Sequence, residues 1–143
     1  MAKIVITGLK ELQRVLAAIP GRAQVGAAFM LQTEGERIMD KSTQIVPVDI
    51  GALRDSGFVE LPQLGPSKVS IEFGYGTVYA PIVHENPRSG KTGGVSPQGQ
   101  RYRSWAQHGE WKFLERPLME AEAGMAGRMA ARLWREIARG AFR

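Results

Sequence analysis

The segment Lys68-Val69-Ser70-Ile71-Glu72-Phe73 alternates polar and apolar side chains. Successive side chains of a β-strand point to opposite faces, so the alternation predicts a strand whose Val69, Ile71 and Phe73 side chains share one buried face. Residues 56–61 form a second run of strand character, separated from the first by a loop rich in proline and glycine. The two runs predict two strands of a small, mainly antiparallel sheet.

Two further segments have strand character. Residues 3–7 are a β-branched run that ends at a glycine, and we interpret them as a strand or an extended arm. Residues 79–84 are predicted to form another strand. Residues 48–54 predict a turn followed by a short helical segment, in which Asp49 can cap the amides that follow and Gly51 permits a tight turn.

Apolar residues recur at helical spacing in three segments. Residues 9–19 predict a short amphipathic helix, and residues 22–45 predict a long one that Pro47 ends. A final long helix is predicted from Pro117 to about Arg139. The stripe predicted for the first long helix contains Val25, Ala28, Phe29, Gln32, Glu36, Met39 and Thr43. The stripe of the final helix contains Leu118, Ala121, Met125, Met129, Leu133 and Ile137, and Phe113, Leu114 and Leu118 are predicted to anchor that helix in the core.

These elements predict an α+β fold. A long N-terminal helix and a long C-terminal helix pack with a small, mainly antiparallel sheet of three or four strands. We expect residues 1–143 to form a single domain. Residues 86–110 contain five glycines and two prolines without periodicity, and they predict a long flexible loop that serves a partner.

The composition restricts the chemistry and the location. Cysteine is absent, which excludes disulfides and cysteine-bearing zinc sites. The chain shows no secretory signal pattern and no stretch of roughly 18 apolar residues, so we expect a soluble, unexported protein without a membrane partner. Residues 86–143 carry 11 Lys/Arg against 5 Asp/Glu, which suits either nucleic acid or an acidic neighbour.

Several catalytic and cofactor motifs fail by position. Gly90-Lys91-Thr92 resembles the end of a phosphate-binding loop, but Glu85 stands where the opening glycine is required. His84-Glu85 begins like a helical zinc-protease motif, but Arg88 stands where the second histidine is required. We therefore expect no metal, no cofactor, no small-molecule substrate and no enzyme activity. A hydrolase that uses His84 and Glu85 is the weakest alternative, because adjacent strand residues point to opposite faces.

Three strings stand in a definite order along the chain. They are Val46-Pro47-Val48-Asp49-Ile50-Gly51-Ala52-Leu53-Arg54-Asp55-Ser56, then Phe73-Gly74 with Tyr79-Ala80-Pro81-Ile82-Val83-His84-Glu85, and finally Lys112-Phe113-Leu114-Glu115-Arg116-Pro117-Leu118. This order resembles the tail-component, or minor-capsid, family of tailed bacteriophages. One departure is Ile50, where that family usually has threonine.

The resemblance implies a structural virion protein, a neck or tail-completion subunit that forms a ring at the head–tail junction and joins head to tail. Its implied partners are copies of itself, connector or adaptor proteins, and tail-terminator or tail-tube proteins, with DNA in the channel as a further possibility. It would be found in the virion, and in the host cytoplasm during assembly.

Five arginines, the last of them Arg143, step by three or four residues along the predicted final helix. Such a stripe fits a solvated face, an acidic neighbour or DNA. An alternative function is therefore a small basic nucleic-acid-binding protein, favoured by aromatic residues interleaved with basic ones near Trp105 and Trp111. Our candidate interface residues are Arg128, Arg132, Arg135, Arg139, Trp105, Trp111, His84 and Glu85.

Overall fold

The computed structural model describes residues 2–7, 21–66, 68–87, 89 and 109–139. The helix predicted over residues 9–19 and most of the predicted 86–110 loop, including Trp105, lie outside the described residues. Within the described part, helices and an antiparallel sheet pack together. The predicted α+β class is therefore confirmed.

The sheet is built around one strand. Strand β4 (Val69–Tyr75) pairs antiparallel with β1 (Ala2–Thr7) along one edge. Strands β2 (Gly57–Val59) and β3 (Gln63–Leu64) also pair antiparallel with β4. Because Ser70 pairs with both Thr7 and Gln63, β1 and β3 lie on opposite edges of β4. Both edges of the central strand are therefore occupied.

The alternation that predicted β4 also predicts its buried face correctly. Val69, Ile71, Phe73 and Tyr75 are all at most 4% exposed. Helix α1 (Gly21–Ile45) covers this face. The two elements approach so closely at Gly35 that a Cβ there would lie 2.9 Å from Cδ1 of Ile71. A glycine at this position therefore sets the spacing between helix and sheet.

The final helix, α4 (Glu115–Ala138), packs on α1 in the antiparallel sense. Lys41 lies near Glu120, whereas Glu34, earlier in α1, lies near Arg128, later in α4. The row predicted for this helix is confirmed at the four positions Ala121, Met125, Met129 and Leu133, all of which are buried. Phe113 and Leu114 are also buried, and Leu118 packs against the core.

The stripe predicted for α1 is buried at Ala28 and Met39 and exposed at three other members. Val25 and Phe29 are 58% and 62% exposed, and Glu36 is exposed as well. The helix has two packing partners, the sheet and α4, so its buried surface is wider than one stripe and is rotated away from these residues. The buried residues of α1 are Ala27, Ala28, Met30, Leu31, Glu34, Gly35, Ile38, Met39 and Ser42.

The strand predicted over residues 79–84 is also wrong. Residues Ala80–Glu85 form a short helix, α3, and the amide of Val83 donates to the carbonyl oxygen of Tyr79 at 3.2 Å. Pro81 stands in its first turn, where no helical amide is needed. Since both edges of β4 are occupied, a strand here would also lack a place beside the central strand.

The turn after α1 depends on the backbone conformation of Gly51 and not on a side-chain cap from Asp49. Gly51 has φ +90°, a left-handed conformation that glycine adopts at low cost, and it precedes the short helix α2 (Ala52–Asp55). No side chain caps α2, so the capping role predicted for Asp49 is wrong. Leu53 returns to the core, with 5% exposure. None of the described helices is long and apolar enough to cross a membrane.

Candidate functional site

The three strings converge at one end of the α1–α4 helix pair. The amide of Glu110 donates to the carbonyl oxygen of Ile45 at 2.7 Å, beside the start of the first string. The amide of Lys112 donates to the carbonyl oxygen of His84 at 2.8 Å, at the end of the second string. The backbone that leads into α4 is thus hydrogen-bonded to His84 of the second string and to Ile45, the residue just before the first string.

Gly109 makes the closest of these approaches. Its φ of +119° is unfavourable for side-chain-bearing residues, and a Cβ there would lie 2.6 Å from the backbone nitrogen of Pro47. The neighbouring atoms belong to the backbone, so they cannot move aside as a flexible side chain can. Only glycine therefore allows the chain to pass Pro47 at this point.

His84 joins α3 to the first turn of α4. Its Nε2 accepts the backbone N–H of Glu115 at 3.3 Å, which requires that Nε2 carry no proton. The proton of the neutral ring is then on Nδ1, which donates to Oε1 of Glu85 at 2.7 Å. His84 and Glu85 were predicted to diverge as neighbours on a strand. That prediction is wrong, since the segment is helical and the two side chains meet.

Lys112 completes the cluster with its ammonium group. Its Nζ lies 2.7 Å from Oε2 of Glu85 and 2.6 Å from Oε2 of Glu115. The hydrogen bonds that Lys112 donates to Glu115 and then to Glu85 raise the pKa of Lys112. The hydrogen bonds from Lys112 and then His84 lower the pKa of Glu85. We call His84, Glu85, Lys112 and Glu115 the His84 cluster.

The His84 cluster contains possible metal ligands. One atom from each of His84, Glu85 and Glu115 can be chosen so that all three lie within 4.8 Å of one another. The Lys112 ammonium group, however, contacts both carboxylates and supplies the positive charge that a metal ion would bring. A metal would have to displace this cation, and the His84 Nε2 atom would have to give up the Glu115 amide.

An aromatic row connects the His84 cluster to the core. The rings of His84 and Phe113 meet edge to face at 4.9 Å, and those of Phe113 and Tyr75 do so at 5.2 Å. The hydroxyl of Tyr75 lies 2.8 Å from Oγ of Ser42 on α1, and burial raises the pKa of Tyr75. The cluster is thus braced from behind by buried residues of the sheet and of α1.

An apolar surface surrounds a cavity next to the cluster. The cavity has a volume of about 390 Å³ and is lined by Pro47, Tyr79, Val83 and residues 49–53. Ile50, which lines the cavity, is 85% exposed, and Val78 and Ile82, the chain neighbours of the lining residues Tyr79 and Val83, are 85% and 71% exposed. Sequence reasoning missed Val78 and Ile82 because it placed residues 79–84 on a strand. Val78 lies in the turn and Ile82 in the short helix that the chain forms there instead, and both side chains are exposed.

The arginine stripe divides into members with different partners. Nε and Nη2 of Arg128 donate to the two carboxylate oxygens of Glu34 at 3.0 and 2.6 Å, and this hydrogen bonding raises the pKa of Arg128. Arg139 lies 3.6 Å from Glu136. Two members of the stripe are therefore paired with acids of the chain, Arg128 with Glu34 of α1 and Arg139 with Glu136. Arg128 braces α1 against α4.

Arg132 and Arg135 border a cleft between the two long helices. Arg132 lies 5.9 Å from the ring centre of the exposed Phe29, and Arg135 donates to the carbonyl oxygen of Ala131 at 3.2 Å. Neither has an ion pair with a described residue. The cleft has a volume of about 440 Å³ and is lined by Met30, Thr33, Glu34, Gly127, Arg128, Met129, Ala131, Arg132 and Arg135. We call it the arginine cleft.

The candidate residues thus fall into two groups. His84 and Glu85 belong to the cluster at the start of α4, whereas Arg132 lies roughly 25 Å further along that helix, from 17 residues at 1.5 Å each. Trp111 stands next to Lys112 and is 39% exposed, whereas Trp105 lies outside the described residues. Trp134, at 68% exposure, is an exposed aromatic residue that the sequence reasoning did not select.

Comparisons of the chain with protein-family models, with curated proteins and with solved structures found no match.

Proposed function

We propose that this protein is a structural virion subunit of a tailed bacteriophage, a neck or tail-completion protein that forms a ring at the head–tail junction and joins head to tail. The proposal begins from the resemblance carried by the three ordered strings. Its proposed partners are copies of itself, connector or adaptor proteins, and tail-terminator or tail-tube proteins. It acts in the virion, after assembly in the host cytoplasm.

The convergence of the three strings is the observation that supports this proposal most. The strings are distant in sequence, yet they meet: Lys112 and Glu115 of the third bind His84 of the second. Residues of the first string line one cavity together with Tyr79 and Val83 of the second. Residues that support a shared architecture are expected to contact one another in this way. The resemblance therefore rests on positions that brace the fold around the start of α4.

The hydrogen bonding of the His84 cluster favours a structural role over catalysis. Both ring nitrogens of His84 already have partners, and the ammonium of Lys112 neutralises Glu85 and Glu115. A general base needs a free lone pair within reach of a substrate proton. We accordingly propose a protein without enzyme activity, cofactor or small-molecule substrate.

The exposed apolar residues suit a chain that contacts neighbouring subunits. Large exposed apolar patches on soluble proteins commonly mark interaction sites. In the described part of the chain the exposed large apolar residues are Val25, Phe29, Ile50, Leu61, Leu64, Val78, Tyr79, Ile82, Trp111, Met119 and Trp134. Two of them, Ile50 and Tyr79, line the cavity at the converging strings, which suits a subunit of an assembly.

The proposal is tested by locating the chain in purified phage particles. Quantitative mass spectrometry should find it in complete virions in a fixed, ring-sized copy number. The native mass of the species that contains the purified chain should also differ between samples with and without assembled particles. Absence of the chain from complete virions, with all other virion proteins detected, would reject the proposal.

A second candidate is a small nucleic-acid-binding protein, which the arginine cleft favours. Arg132 and Arg135 have no acidic partner among the described residues, and cations of this kind can bind phosphates. Binding through them would weaken steeply as salt rises. Titration of labelled double-stranded DNA over a salt series separates this function from the first, since a neck subunit does not require DNA binding in the free state.

A further inference from the structure

We infer that neighbouring copies of this chain join head to tail, with the Asp49–Ile50 turn of one copy seated in the arginine cleft of the next. This inference rests on the proposed function, because it names the surfaces by which a ring subunit would bind its own copies. The occupant of the cleft is thus a second copy of the chain, and the contact combines an apolar side chain with opposite charges.

The turn that enters the cleft is exposed at the surface. Ile50 is 85% exposed, and Asp49 beside it is exposed and has no ion pair with a described residue. The conformation of Gly51, with φ +90°, holds the turn against α2. Covering a large apolar residue of this exposure removes its surface from water and so favours a contact at the turn.

The arginine cleft has room and charge for such a turn. Its volume of about 440 Å³ compares with the roughly 150 Å³ of an apolar cavity that accepts benzene. A Cβ at Gly127 would meet nothing within 4 Å, so the floor of the cleft is open. Arg132 and Arg135 stand at its border with no acidic partner among the described residues, and Asp49 of a second copy supplies one.

The position of the two surfaces excludes contact within one copy. Phe29, beside the cleft, and Ile45, beside the turn, are separated by roughly 24 Å along α1, from 16 residues at 1.5 Å each. Different surfaces at opposite ends give a heterologous contact, which every added copy can repeat. Such contacts form a closed ring when the rotation between neighbours divides the circle, and a filament otherwise.

The charge along α4 agrees with this polarity. The half near the turn carries Glu115, Glu120 and Glu122 against Arg116. The half near the cleft carries Arg128, Arg132, Arg135 and Arg139 against Glu136. Because Glu115, Glu120, Arg128 and Arg139 have partners within the chain, the charges of these two halves that remain for a neighbour are Glu122 near the turn and Arg132 and Arg135 near the cleft.

The test is sedimentation velocity of the purified full-length chain over a range of concentrations. Two variants each remove one side of the contact: Asp49→Lys with Ile50→Arg changes the turn, and Arg132→Glu with Arg135→Glu changes the cleft. Both sites are exposed, and circular dichroism confirms folding. The wild-type chain should form oligomers, and each variant should weaken self-association by at least about tenfold.

Mixing decides the polarity of the contact. The turn variant keeps an intact cleft and the cleft variant keeps an intact turn, so an equimolar mixture should form a one-to-one dimer that grows no further. Matched controls are Lys68→Glu, an exposed lysine on the turn before β4, and Leu61→Asp, an exposed leucine at 76% exposure. Both controls should associate as the wild-type chain does.

A monomeric wild-type chain at all concentrations, unchanged association in either variant, or failure of the mixture to form dimers would overturn the inference. So would a cleft variant that loses binding to double-stranded DNA but keeps its self-association. These outcomes are independent of the proposed function. A chain that self-associates as described but is absent from virions would reject the virion role alone.

Discussion

The imidazole of His84 accepts the backbone N–H of Glu115 and so ties α3 to the first turn of α4. His84 is 7% exposed, and its ring also packs edge to face on Phe113. The first amides of a helix have no partner within the helix, so a side chain that accepts one of them stabilises the helix start. One residue of the second string thus positions the third.

Replacing His84 by alanine should destabilise the fold. It should abolish no enzyme activity, because the proposed protein has none. The change leaves the Glu115 amide without its acceptor and opens space beside Phe113. We expect a loss of about 2 kcal/mol in the free energy of unfolding, measured by urea denaturation. Gln44→Ala, on the exposed side of α1, should change it by less than about 0.5 kcal/mol. Equal stability of the two variants would contradict the role given to His84.

Removing the Lys112 ammonium should turn the His84 cluster into a metal site. In Lys112→Met, the carboxylates of Glu85 and Glu115 lose the cation between them, and Zn²⁺ can replace it with His84 as a third ligand. Added Zn²⁺ should therefore raise the melting temperature of this variant, because a ligand that binds only the folded state stabilises it. The wild-type chain and Lys112→Arg should not respond. A zinc response in the wild-type chain would show that Lys112 does not fill the site.

The lowered pKa of Glu85 gives a contribution to stability that depends on pH. Lys112 and then His84 favour the ionised form in the folded state, so the folded pKa lies below the unfolded value of roughly 4.3. The contribution is present above the unfolded pKa and is lost as the pH falls through the folded pKa. The stability difference between the wild-type chain and Glu85→Gln should therefore be larger at neutral pH than in acid. A difference that stays constant across that range would contradict the pairing.

The arginine stripe should separate into a structural member and two surface members. Arg128→Ala leaves the Glu34 carboxylate, whose side chain is 11% exposed, without its bidentate partner. This change should cost about 1 to 3 kcal/mol of stability. Reversing Arg132 and Arg135 together should change stability by no more than about 1 kcal/mol, at about 0.5 kcal/mol per surface site. The opposite ranking in urea denaturation would show that the ion pair does not join the helices.

Two glycines should respond in opposite directions to the same substitution. Gly109→Ala forces a Cβ against the backbone of Pro47 at a positive φ, so it should destabilise by more than about 1 kcal/mol. Gly127→Ala places a methyl group in open space within α4 and should stabilise by up to about 1 kcal/mol. Thermal unfolding of both variants measures the contrast. A stable Gly109→Ala protein would mean that the strings do not meet as closely as described.

Local pattern was enough to predict much of the fold. The alternation over residues 68–73 marks the central strand and its buried face, since a period of two has only one structural source. The spacing from Ala121 to Leu133 identifies the buried side of α4 in the same way. Residues 80–85 were missed because a short apolar run with β-branched members is compatible with either element. The segment forms a helix, since Pro81 suits the first turn of a helix and both edges of β4 are already occupied.

The candidate site was harder to predict because its contacts join distant parts of the chain. His84 and Glu115 are 31 residues apart, and Glu34 and Arg128 are 94 apart. Local periodicity carries no information about such pairs. The strings indicated which residues matter, and the structure supplies the reason in the hydrogen bonds between them. The sequence could not distinguish Arg128 from the solvated arginines of the stripe, because the Glu34 carboxylate that binds Arg128 belongs to α1.

The most direct test of the proposed role is deletion of the gene from the phage that encodes this chain, followed by electron microscopy of the lysate. A subunit that joins head to tail should leave filled heads and separate tails, and the wild-type gene supplied in trans should restore complete particles. Normal infectious particles in the deletion lysate would contradict the account.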